Sequence, residues 1–216
     1  MKERPIIFST PMVQAIIEGR KTQTRRVVKC DSNITGIATP EEWDAGPHPL
    51  KKFETWGPKN AVALFKNDRG TIFGLPCPYG KPGDLLWVRE THARIPHIMS
   101  VFAGVHYFSD GPMPTISECH DAGLLKKYPS IHMPKWAARI WLEITGVMVE
   151  RVQEISHADA VAEGYEECEP NNYGTGSRAR DWFACLWDSI NGKKNGCSWA
   201  ENPWVWIVEF KRVEVK

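Results

Sequence analysis

Residues 10–26 read TPMVQAIIEGRKTQTRR, and this run sets the expectation for the whole fold. Met12, Val13, Ala15, Ile16 and Ile17 follow a hydroxyl and a proline and stop at Gly19, the pattern of a short helix with proline in its first turn and glycine at its end. The chain leaves that helix through Arg20, Lys21, Arg25 and Arg26, with two threonines between them and no acid. A helix C-terminus carries partial negative charge, so Arg20 and Lys21 are favourable there on structural grounds alone. The following Val27-Val28 continues as a strand. A helix, a basic turn and a strand in this order open the domain.

The charge is local. The 216 residues hold 27 Lys and Arg against 26 Asp and Glu, so the chain as a whole offers no general attraction to polyanions. The length suits one domain over residues 1–216, and 42% apolar residues with ten tryptophans supply a core. No run approaches the ~20 apolar residues of a membrane helix, and MKERPIIFST lacks the apolar stretch of a secretory signal. A cytoplasmic protein without a membrane partner is expected. The six cysteines contain no Cys-x-x-Cys pair, the seven histidines show no ligand spacing, and no glycine-rich phosphate loop occurs, so neither metal nor cofactor is expected.

Working outward, residues 31–80 are rich in Pro, Gly, Asn and Asp, with one candidate strand at 61–66, and read as a loop-rich insertion. KPGD at 81–84 reads as a turn, and LLWVR at 85–89 as a strand apolar enough to be central. A second insertion spans about 93–133, with candidate strands near 101–108. Ile140, Leu142 and Ile144 alternate against Trp141, Glu143 and Thr145, the period of a half-buried strand, which continues through 147–152. Ser156 caps a short helix closed by Gly164. Apolar residues at 182, 183, 186, 187 and 190 mark an amphipathic helix. In the last strand Val205, Ile207 and Phe210 cannot share one face, so it is buried on both sides or bulged.

Four of these pieces in this order, EGRKTQTRR, PGDLLWVRE, ISHADAVAEGY and WVWIVEF, resemble the ASCH family, and the long form with HMPKWAARI is similar to members from phages and prophages. The resemblance implies a mixed α/β (α+β) fold: a PUA-like small β-barrel flanked by short helices, here carrying the two insertions. It also implies binding of a nucleoside, nucleotide or RNA. Small bacterial N4-acetylcytidine amidohydrolases of this family use a Gly-Arg-Lys-Thr-x-Thr motif and a glutamate. By that likeness Thr24 is the nucleophile, Lys21 its base and Glu163 the proton donor.

The residues support this chemistry independently. A threonine hydroxyl attacks only when its proton is removed, and lysine removes it only if its pKa falls below the free value of ~10.4. Arg20, Arg25 and Arg26 crowd Lys21, and burial acts in the same direction. These arginines also suit an oxyanion or a phosphate. Residues 21 and 24 of a regular strand face opposite ways, so their meeting needs a turn or bulge between them. Arg89, Glu90, Trp136 and Arg139 are further candidates for binding substrate, Trp136 by stacking on a base. An Arg-Glu pair on the sheet and a core tryptophan explain the same four residues equally well. Phosphodiester cleavage of the ribonuclease type and a non-catalytic nucleic-acid-binding or phage accessory role are the rival functions.

Overall fold

The computed structural model describes residues 1–29, 34–39, 62–95, 104–111, 126–166 and 175–214. Its centre is a five-stranded sheet in the order β1 (Glu3–Ile7), β6 (Leu85–Arg89), β10 (Trp141–Arg151), β11 (Trp204–Val213) and β2 (Gln23–Val27). β1 runs parallel to β6, and the other neighbours are antiparallel. Three helices flank it: α1 (Thr10–Ile17), α2 (His157–Ala162) and α3 (Thr175–Asn191). The fold is mixed α+β, and no closed barrel is found among the described residues.

Local chemistry explains most of these elements. Pro11 opens α1 and Gly19, at φ 78°, lies just past its end. The residue before the helix is Ser9 rather than Thr10, and its side chain makes no capping bond. Ser156 accepts from the Asp159 backbone N–H while Asp159 answers the Ser156 N–H, a reciprocal cap that starts α2. The turn before β6 needs Gly83 at φ 86° and is pinned by Asp84. That buried carboxylate accepts from the Lys2 and Lys81 backbone N–H groups and from Arg4.

The two faces of the sheet carry separate cores. On one, Leu86, Val88, Leu142, Ile144, Trp206, Val208 and Phe210 pack against Val13 and Ile16 of α1. On the other, Val205 packs against Ala160 of α2 and Phe183 and Trp187 of α3. The last strand is therefore buried on both sides. The irregularity falls instead on β10, where the register shifts between Ile144 and Gly146. Before it the even-numbered residues Leu142 and Ile144 face the α1 core, and after it Val147 and Val149 do so. That change of parity turns Glu150, paired with Val205, toward α2 and α3.

Residues 31–80 contain more than the one strand expected. β3 (Ile34–Ile37), β4 (Val62–Asn67) and β5 (Ile72–Pro76) form an antiparallel sheet. Phe65 of β4 is fully buried and meets Trp204 and Trp206 edge-on, both at 6.3 Å. This segment thus completes the main core. The second segment forms another small sheet, with β7 (His92–Ile95) between β8 (Gly104–Tyr107) and β9 (Lys126–Tyr128). The expected strand near 101–108 is β8, and residues 101–103 lie outside the described set.

Candidate active-site cleft

Between α1 and β2 the chain passes through five residues that belong to neither. Within them Lys21 N–H donates to Ala15 of α1, and Thr22 N–H donates to Ala162 at the end of α2. These bonds press residues 20–22 against the C-terminal end of α2, where Glu163 is the capping residue. Gly164 follows at φ 105°, and a Cβ there would stand 3.1 Å from Ala15 Cβ and 3.6 Å from Lys21 Cβ. Glycine is required for that close approach.

Lys21 and Glu163 meet directly. Lys21 Nζ donates to Glu163 Oε2 at 2.6 Å and to the Glu163 carbonyl at 2.8 Å, and both side chains are buried. Burial pushes the Lys21 pKa below its ordinary value; Glu163 opposes that shift, and the Arg26 and Arg25 charges reinforce it. The other carboxylate oxygen, Glu163 Oε1, lies 3.4 Å from Arg25. Arg25 is wholly buried and also bonds Glu150 Oε1 through Nε at 2.9 Å and Nη2 at 2.6 Å, with Asp159 Oδ2 at 3.3 Å. Its charge is answered by three carboxylates. Arg25 therefore positions Glu163, in place of the free cation its sequence context suggests.

Thr24 is buried on β2, opposite Val208. Its hydroxyl makes no hydrogen bond to any described residue, including Lys21 and Glu163. It lines a cleft of about 220 Å³ together with Glu163, Arg26, Tyr79, Phe183 and Trp187. A second hollow of about 320 Å³, lined by Ser9, Gln14, Arg20 and Trp182, also reaches Glu163. The turn or bulge expected to bring positions 21 and 24 together is not shown: Lys21 precedes β2, which begins at Gln23 and keeps a regular register with β11. Lys21 meets Glu163, and Glu163 and Thr24 line the same cleft, without a bond between Lys21 and Thr24.

The remaining arginines divide. Arg20 donates to Glu18 and, at 2.9 Å, to the Gly164 carbonyl, so it fastens the turn. Arg26 Nη2 donates to the Ile7 carbonyl at 2.7 Å, its guanidinium lies 5.2 Å from the Phe8 ring, and it has no carboxylate partner among the described residues. Its Nε is buried without a hydrogen bond, and burial pushes its pKa below the ordinary value. Lys29 and Lys194 add exposed cations at the cleft rim.

The four other candidates do not line this cleft. Glu90 is buried and held by Arg139 at 3.0 and 3.1 Å and by Ser109 at 2.5 Å. Arg139 also bonds both Asp110 oxygens and lies 3.9 Å over the Tyr107 ring. This is a structural network, and its arginine is already neutralised. Arg89 donates to the Ile131 carbonyl, and Trp136 is 70% exposed on the outside of the molecule. Residues that sequence reading missed are Glu150, Asp159, Tyr79 and Phe183. Only Asp159 left a local signal, as the third residue of the capping pattern after Ser156.

The cleft and fold define a mixed α+β chain in which a buried Lys-Glu pair adjoins a cleft lined by a threonine whose hydroxyl bonds to no described residue. No family model, curated protein or solved structure matches the chain. Among the described residues no group of metal-ligating side chains occurs, and no helix is long and apolar enough to cross a membrane.

Proposed function

We propose that the chain is a PUA-like ASCH protein that binds a nucleoside or nucleotide in this cleft and hydrolyses the amide of an N4-acylated cytosine. The observation that carries the reading is that Glu163, which Lys21 holds through a buried pair, lines the same cleft as Thr24. Burial pushes the Lys21 pKa below its ordinary value and so favours the neutral amine, the form a base needs. Thr24 Oγ attacks the amide carbonyl as Lys21 takes its proton. The tetrahedral adduct then expels the cytosine amine, which receives the Glu163 proton, and water cleaves the threonine ester to release the carboxylate.

Tyr79, Phe183 and Trp187 offer aromatic walls to a base, and Arg26, which meets no carboxylate among the described residues, offers its charge to an oxyanion or phosphate. The barrel part of the reading rests on Arg26, whose bond to Ile7 ties the two end strands of the sheet through a side chain. Phosphodiester cleavage is the second reading. Arg26, Lys29 and Lys194 line one cleft, and such a charge set also suits a pentavalent phosphate.

The test is release of acetate and cytidine from N4-acetylcytidine by the purified chain. Turnover lost in Thr24→Ala supports the proposal. No acetate release, or a fully active Thr24→Ala, overturns it.

A further inference from the structure

Trp136 stands on the outside of the molecule, in a turn at Lys135–Ala137 that precedes β10. Its ring lies 5.9 Å from the Arg94 guanidinium of β7. Arg94 in turn lies 5.2 Å from the ring of Tyr128 on β9, and Lys126 lies 5.7 Å from that same ring. Strand pairing explains the cluster: Arg94 is opposite Lys126 and His92 is opposite Tyr128, so all four side chains share one face. Buried His92 stacks on Tyr128 and holds its ring.

The surface continues onto the central sheet. Lys135 lies 5.6 Å from the Trp141 ring, Trp141 is paired with Trp87, and Arg89 lies 5.5 Å from Trp87. Lys135 is paired with Glu3 and adds no free charge. Arg89, Arg94 and Lys126 pair with no carboxylate among the described residues. In a chain whose total charge is +1, this is a concentrated positive surface with an exposed aromatic face.

We infer that this surface is a second binding site, a stacking platform for single-stranded nucleic acid, with Trp136 taking a base and Arg94, Lys126 and Arg89 taking phosphates. Two features favour a single strand. Aromatic faces engage bases only when these are unstacked, and a row of cations beside them follows a backbone without needing its sequence. An acidic protein would satisfy the cations but leave Trp136 without a flat partner. The inference uses no cleft residue and stands apart from the amidohydrolase reading.

Fluorescence anisotropy with labelled twelve-nucleotide RNA and DNA strands of the same mixed sequence tests it, between 50 and 200 mM salt. Wild-type protein is expected to bind at least one strand. Trp136→Ala should weaken that binding about tenfold or more, and Trp136→Phe, which keeps a ring, should recover most of it. Arg94→Ala should lower the slope of log affinity against log salt by about 0.7. Both replaced side chains, Trp136 and Arg94, are exposed, and an unchanged urea midpoint confirms that each variant is folded. The strand bound more tightly names the source of the shared chemistry. Failure of both strands to bind overturns the proposal, as does a Trp136→Ala variant that binds like wild type. Equal affinity for the matching duplex overturns the single-strand assignment. Binding of an acidic polypeptide with neither strand bound assigns the surface to protein and overturns it too.

Discussion

Lys21 Nζ lies 2.6 Å from the Glu163 carboxylate and 2.8 Å from the carbonyl of the same residue, so one buried ammonium closes on both ends of a helix-capping glutamate. The contact joins the start of β2 to the end of α2. It serves both structure and chemistry, and the two can be separated.

Removing one partner leaves the other charge buried. Lys21→Met is expected to cost about 3–5 kcal/mol, the range for breaking a buried pair. Arg25, 3.4 Å from Glu163, favours the lower end. The double variant Lys21→Met/Glu163→Gln should lose less than the sum of the single variants in urea denaturation. Simple additivity would show that the two residues are not one unit.

Thr24 separates chemistry from folding most cleanly. Its hydroxyl bonds to no described residue, so Thr24→Val should change stability by no more than about 1 kcal/mol. Acyl release should vanish in Thr24→Val and persist in Thr24→Ser, measured as acetate produced by protein of equal urea midpoint.

The lowered Lys21 pKa sets the direction of the pH dependence. The amine must be neutral to act as a base while Glu163 keeps a proton to donate, so kcat/KM should rise with pH to a maximum below the free lysine value of ~10.4 and fall beyond it. Stability carries the same sign: between the lowered folded pKa and the unfolded one, the unfolded chain binds more protons at Lys21. The Lys21 contribution to stability therefore rises with pH across that window. Denaturation midpoints of wild type and Lys21→Met between pH 7 and 10 should differ in slope accordingly.

Gly164→Ala should act on the site from behind. The position holds φ 105°, and the added Cβ would press on Ala15 at 3.1 Å. A cost of about 1–3 kcal/mol is expected, together with reduced turnover because Glu163 is displaced from Lys21. Thermal unfolding and the acetate assay measure the two effects.

Phe65 tests whether residues 31–80 are an appendage. Phe65→Ala should cost about 3–5 kcal/mol as a core truncation, visible as one cooperative transition shifted to lower urea. A variant with wild-type stability would show that this segment packs independently.

Several elements were legible because a few neighbouring residues specify them. Pro11 and Gly19 bracket α1, Ser156 and Gly164 bracket the α2 turn, and the apolar run of Leu85–Arg89 marks a central strand. Strands β1, β3, β5, β7 and β9 were not legible, because they are short and their burial depends on a partner strand rather than on an internal period. Trp136 shows the same limit for a single residue. Its type suits core and surface alike, and only the turn at Lys135–Ala137 turns it outward.

Sequence alone determined the helix, turn and strand between Thr10 and Val27, the mixed α+β character and the residue types Lys21, Thr24 and Glu163, but not β1, the strand that precedes them. Tertiary structure decided which of them touch. Lys21 and Glu163 are 142 positions apart, and no local preference measures a contact made by packing α2 against β2. The shift in β10 likewise turns Glu150 toward Arg25, so that an arginine expected to meet substrate is neutralised by the protein. Alternation along a strand is local, whereas where it slips is set by the neighbours that the strand must fit.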